Sequence, residues 1–128
     1  MARTPKVPDR ERNRRFDIRF ADETKREFRK LGPSARYDIL SAIEKKLTDR
    51  PTDYGEPLIR ELIGYRKLPV GQWRVVYYVE EEKVLVLVLA VGKRAKGDHQ
   101  NIYEQVTKAD LDARLRSVRQ RVENDERR

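Results

Sequence analysis

The chain has 128 residues, room for one domain and little besides. Its 30 Lys and Arg against 22 Asp and Glu leave a formal net charge of +8, an excess that suits a polyanionic partner such as nucleic acid. Cysteine is absent and His99 is the single histidine, which excludes disulfides, a cysteine nucleophile and a thiolate or multi-histidine metal site. No run approaches the roughly 18 apolar residues of a membrane span, so the chain reads as a soluble, cytoplasmic protein without a metal or cofactor.

Half of the net charge, +4, falls in residues 1–16. With Pro5, Pro8 and no apolar periodicity, residues 1–15 read as a basic disordered arm, either a solubilising tail or a nucleic-acid contact. Phe16, Ile18 and Phe20 then alternate with Asp17 and Arg19, the period of a half-buried strand. From Ala21 the period changes. Thr24, Phe28 and Leu31 share a helical stripe, with acidic residues in the first turn and basic ones in the last. Gly32-Pro33 breaks this helix, and a second is predicted from Pro33 or Ser34 to Thr48, with Tyr37, Leu40, Ile43 and Leu47 inward, until Arg50-Pro51 stops it.

Thr52–Pro57 is loop by composition, and Leu62–Pro69 is predicted as a strand interrupted by Gly64. A stronger strand covers Gln72–Val79, where Trp73, Val75 and Tyr77 alternate with Arg74, Val76 and Tyr78. Glu80-Glu81-Glu82 reads as a solvated turn. Lys83–Val91 contains eight consecutive apolar residues rich in Val and Leu, and is predicted to be the central strand, covered on both faces and ended by Gly92. A basic loop, Lys93–Gly97, follows. The C-terminal stretch carries Tyr103 and Val106, then Leu111, Leu115, Val118 and Val122 at helical spacing. Thr107–Asp110 has the form of a capping box, so the helix breaks and restarts there and docks on its own sheet.

The six glycines form no nucleotide-binding loop, which sets ATP and NAD chemistry aside. The informative constellation lies between Tyr65 and Tyr103. Lys67, Arg74, Arg94, His99 and Tyr103 can converge at one edge of an antiparallel sheet. Cations that stabilise a phosphorane, beside groups that move protons, are what metal-free RNA cleavage by the 2′-OH requires; surface charge in a basic protein is the plainer reading of the same residues.

The run from Tyr65 to Tyr77, joined to the Val-rich strand and to Val91-Gly92-Lys93-Arg94, resembles the signature of the RelE/ParE superfamily of toxins from bacterial type II toxin-antitoxin systems, and the helical hairpin before it matches too. The resemblance implies a small α/β (α+β) fold. A twisted, antiparallel-dominated sheet would carry the N-terminal helical hairpin on one face, with a basic concave face opposite and a C-terminal helix. The toxin domain would span residues 16–106, with residues 107–128 as a helical extension. RelE-type members cut mRNA in the ribosomal A site, and ParE-type members poison DNA gyrase. For this chain the resemblance favours the RelE-like branch, an mRNA endoribonuclease that inhibits translation, with a separate antitoxin, the ribosome and mRNA as partners. A ParE-type gyrase inhibitor, or an inactive relative that binds antitoxin only, is the alternative.

Carried over by position, the resemblance makes Lys67 a cationic site, Arg74 the strand arginine at the scissile phosphate, Arg94 the arginine after the last strand, and Tyr103 the C-terminal tyrosine that acts as base. Lys67, Arg66, Lys93 and Lys96 would bind RNA. Pro69 and Tyr65 stand where relatives carry further basic residues. His99 is the alternative acid or base, since an unperturbed imidazole titrates near neutrality.

Overall fold

In the computed structural model, which describes residues 15–94 and 101–127, strand β1 (Asp17–Phe20) leads directly into helix α1 (Asp22–Arg29). Thr24 and Phe28 face inward, and the charges at the two ends of α1 complement its dipole as expected. Helix α2 runs from Pro33 to Ala42 and continues as a π-helical turn over Ile43–Leu47. Its buried stripe is Ile39, Ile43 and Leu47. Tyr37 and Leu40, expected inside, are 72% and 40% exposed, because a stripe centred on Ile39 turns a neighbour one or two residues away by about 100° or 200° around the helix.

Thr52–Pro57, expected as loop, instead closes helix α3 (Pro51–Tyr54) and forms a two-residue strand, β2 (Glu56–Pro57), too short to leave a periodic signal. A 3₁₀ turn (Arg60–Leu62) follows, and β3 spans Arg66–Val70 rather than starting at Leu62. Arg60 at φ 56° and Gly64 at φ 103° are left-handed, a conformation incompatible with strand pairing. Strands β4 (Trp73–Glu80) and β5 (Leu85–Lys93) complete a sheet of order β1-β5-β4-β3-β2, in which only the β1–β5 pair is parallel. β4 therefore holds the middle position expected of β5. β5 lies between β1 and β4, is buried from Leu85 to Val91, and runs through Gly92, its expected end, to Lys93.

One irregularity sets which side chains meet. Val76 pairs with Ala90 and Tyr77 with Val88, so Leu89 is an extra residue, a β-bulge. Leu85, Leu87, Leu89 and Ala90 join one core layer, while Val86, Val88 and Val91 join the other with Val75, Tyr77 and the α1–α2 hairpin. Past the bulge the alternation of β5 is shifted by one residue. Gly92 consequently lies opposite Arg74, on the face that carries the C-terminal segment.

That segment forms α4 (Ile102–Gln105) and α5 (Lys108–Glu126), restarted by the expected capping box of Thr107 and Asp110. Leu111, Leu115, Val118 and Val122 pack on Leu85, Leu87 and Leu89. Polar ties flank this seam. Arg114 bonds Glu27 (3.0 Å) and the Leu89 carbonyl (2.8 Å), Arg121 bonds Asp22 and the Phe20 carbonyl (both 2.7 Å), Arg119 bonds Glu80 (2.6 Å), and Tyr65 donates to Asp112. The C-terminal helix thus docks on its own sheet as expected, α5 covering the face opposite the hairpin across β5, while a cavity stays open beside β3. Among the described residues no helix is long and apolar enough to cross a membrane.

Candidate active site

Lys67, Arg74, Arg94 and Tyr103 reach one end of the sheet from different elements. Lys67 pairs with Glu56 on β2 and Val76 on β4, and so shares the face of Val76. Its Nζ lies 5.8 Å from the centroid of the Tyr103 ring. Arg74 pairs with Pro69 and Gly92 on the same face. Its Nη1 donates to the Gly71 and Trp73 carbonyls, each at 2.8 Å, which braces the β3–β4 turn and restricts the guanidinium. Arg94 follows β5, its backbone N–H held by the Gln72 carbonyl at 2.8 Å. The bulge at Leu89 puts Arg94 in phase with Gly92 and Arg74; without the extra residue its parity would be that of Lys93.

Tyr103 is carried in by its neighbour. A Cβ on Gly92 would lie 2.8 Å from Ile102 Cδ1 and 3.2 Å from Ile102 Cβ, so the bare backbone of Gly92 is what lets Ile102 lie against β5. Asn101 caps α4 through its side chain, accepting from the Tyr103 N–H at 3.0 Å. The Tyr103 hydroxyl is buried and bonds no partner among the described residues. Burial pushes its pKa above the ordinary tyrosine value. The charges of Arg74 and Arg94 pull the other way, and Arg74 also turns a donor toward the hydroxyl without reaching good hydrogen-bond geometry; Glu56 adds a smaller upward push. The cations are therefore where a phenolate would need them, yet desolvation prevails and the phenol stays protonated at neutral pH.

Two of the expected RNA-binding residues face elsewhere. Arg66 pairs with Tyr77 on the helical-hairpin side, and its Nη2 donates to the Thr52 and Gly55 carbonyls at 2.8 and 2.9 Å, holding the α3–β2 connection. Lys93 lies over the Trp73 ring at 6.0 Å, also on that side, since strand alternation separates it from both Gly92 and Arg94. Lys96, His99 and the basic arm up to residue 14 lie outside the described residues. Glu56 is a participant the sequence did not signal, because β2 is too short to be seen and only pairing brings it beside Lys67.

A mixed sheet with a helical hairpin on one face, whose β3, β4 and β5 gather three cations and a tyrosine at one end, defines a small toxin fold, and the comparisons agree. The family model for the ParE toxin of type II toxin-antitoxin systems matches residues 15–98. The chain belongs to the RelE/ParE superfamily and is a toxin of a type II toxin-antitoxin system. It is 30% identical over 80 residues to toxin RelG of Mycobacterium tuberculosis, covering 62% of this chain and 92% of that protein. It is 29% identical over 89 residues to a RelE-like toxin protein of Escherichia coli, covering 69% and 93%. Among solved structures it is similar to the RelBE2 toxin-antitoxin complex of M. tuberculosis (TM-score 0.60, 29% identity, 64% of this chain and 94% of that one) and to the isolated E. coli RelE toxin (TM-score 0.54, 26% identity, 71% and 93%). The family match ends at residue 98, before α4 and α5.

Proposed function

We propose that this toxin is an endoribonuclease that cuts mRNA in the ribosomal A site and so inhibits translation. The observation that supports the reading is the approach of Arg74 and Arg94 to the buried hydroxyl of Tyr103, which bonds no partner among the described residues, with Lys67 over the same ring. In the cleavage step the 2′-oxygen attacks the adjacent phosphorus and the bond from phosphorus to the 5′-oxygen breaks, leaving a 2′,3′-cyclic phosphate and a 5′-hydroxyl. Negative charge builds on the phosphoryl oxygens, where fixed guanidinium groups act without reorganising. Arg74, braced by two carbonyls, and Arg94, on the end of a buried strand, supply those groups, with Lys67 completing the positive field. A protonated Tyr103 is suited to donate to the departing 5′-oxygen rather than to act as the base. His99 is the group we assign to take the 2′-OH proton, on its chemistry alone.

An antitoxin on a separate chain completes the system. Support comes from solved relatives that are toxin-antitoxin complexes, among them the RelBE pair of E. coli. Primer-extension mapping of an mRNA in a purified translation reaction tests the activity. Codon-phased cuts that need ribosomes and fall by about 100-fold in Arg94→Ala are expected; an intact message with folded protein refutes the reading. The family model is described as a ParE toxin, which favours a second reading, a gyrase inhibitor. That reading predicts loss of supercoiling activity that survives removal of Arg74, Arg94 and Tyr103 together.

A further inference from the structure

Three of the four site residues, Lys67, Arg94 and Tyr103, border a cavity that cleavage alone does not explain. It measures about 710 Å³, within the range of small-ligand pockets, and lies between the Leu58–Leu62 turn and the α4–α5 junction. Lys67, Arg94 and Tyr103 form its inner wall. We propose that it is a nucleobase subsite, taking one unpaired RNA base beside the phosphate held by the cations and preferring bases with an exocyclic amino group over uracil. This inference rests on the RNA-cleaving reading.

Three features point to a base. The floor is apolar, with Leu58 and Val106 buried, while Ile59 stands at the lip 68% exposed, a large apolar side chain with no packing role that a base can cover. Tyr103 lines the cavity, and its hydroxyl, buried in the free protein, bonds no partner among the described residues. Glu61 and Glu104 line the same space and form no ion pair among the described residues, although Arg60, Lys67, Arg94 and Lys108 line it too. Carboxylates accept and never donate, so they select for amino groups. Adenine, cytosine and guanine each present one; uracil presents two carbonyls and a single ring N–H. The cavity's size and its continuity with the cationic cluster favour a base over a protein segment. Glu104 and Val106 lie beyond the family match, whereas Leu58, Glu61, Lys67 and Arg94 lie within it, so the C-terminal segment supplies one side of the subsite.

The test uses ribosomes programmed with mRNAs that carry each of the four bases at each position of the A-site codon. Wild type is expected to favour A, C and G over U at one position by about tenfold, the scale of one charge-assisted hydrogen bond. The Glu61→Ala, Glu104→Ala double variant, altered only at exposed positions, is expected to bring that ratio close to one. Arg94→Ala should slow all four substrates alike. A wild type without preference, or a double variant with the wild-type ratio, overturns the subsite. Binding is followed separately with a 2′-O-methyl trinucleotide containing 2-aminopurine, which resists cleavage. If no RNA is cut yet this probe binds wild type and not the double variant, the cleavage reading fails and the subsite stands. A double variant that keeps its base profile but escapes neutralisation by co-expressed antitoxin overturns the proposal in favour of an antitoxin seat.

Discussion

Arg74 and Arg94 are chemically alike but differently embedded, and that difference makes their variants separable. The Arg74 guanidinium braces the turn at Gly71, which itself adopts φ 59°, while the Arg94 side chain makes no hydrogen bond or ion pair among the described residues. Arg74→Ala is expected to lower cleavage by about 100-fold or more and to cost about 1 kcal/mol in chemical denaturation. Arg94→Ala should lose comparable activity with stability changed by less than about 0.5 kcal/mol. Tyr103→Phe removes a buried hydroxyl that has no partner among the described residues, so the fold is expected to keep or gain stability, by up to about 1 kcal/mol, while cleavage falls. Melting curves measured beside initial rates check all three. A Tyr103→Phe variant at full activity would remove the phenol from the mechanism. At this scale the gathering of Lys67, Arg74, Arg94 and Tyr103 at one end of the sheet was expected from the sequence, but Arg66 and Lys93 were not distinguishable from Lys67 and Arg94, since a basic residue does not announce which face of a strand it takes.

Among the elements, β5 and the C-terminal segment decide whether the site assembles. Gly92→Val would drive two methyl groups into Ile102, displacing α4 and with it Tyr103; a loss of about 1–3 kcal/mol and a fall in cleavage together are expected. Stability lost with activity intact would show that Tyr103 is held by something other than this contact. Leu111, fully buried at the start of α5, tests the seam: Leu111→Ala should cost about 2–5 kcal/mol by urea denaturation. The strands other than β2 and both long helical regions announced themselves through period and breakers. The bulge at Leu89 did not, because an unbroken run of Val and Leu carries no alternation from which a one-residue slip can be read.

For the whole molecule, three tyrosines tie stability to alkaline pH. Burial is the largest cause of the raised pKa at Tyr65, Tyr77 and Tyr103, with the Asp112 carboxylate adding to it at Tyr65. A group whose pKa is raised on folding contributes stability that is full below its unfolded pKa and is lost as pH rises. The melting temperature is therefore expected to hold up to the ordinary tyrosine value of about 10 and to fall above it. Tyr65→Phe should flatten that fall, because it removes both the buried phenol and its bond to Asp112. An equally steep fall in Tyr65→Phe would assign the alkaline sensitivity to the other two phenols. The polar ties of α5 to α1, β1, β4 and Tyr65 make this a property of the assembled fold rather than of one element.

Pattern and breakers by themselves determined β1, β4, β5 and the long helical regions, the break between α4 and α5 and the inward stripe of α5, because these depend on local spacing, while the superfamily showed as a resemblance carried by the run from Tyr65 to Arg94. Only the tertiary structure decided which charges face Tyr103, how much of the sheet face α5 covers, and that burial outweighs two arginines at the phenol. Each of those outcomes depends on strand register and on desolvation, and both arise only when segments distant in sequence are packed together.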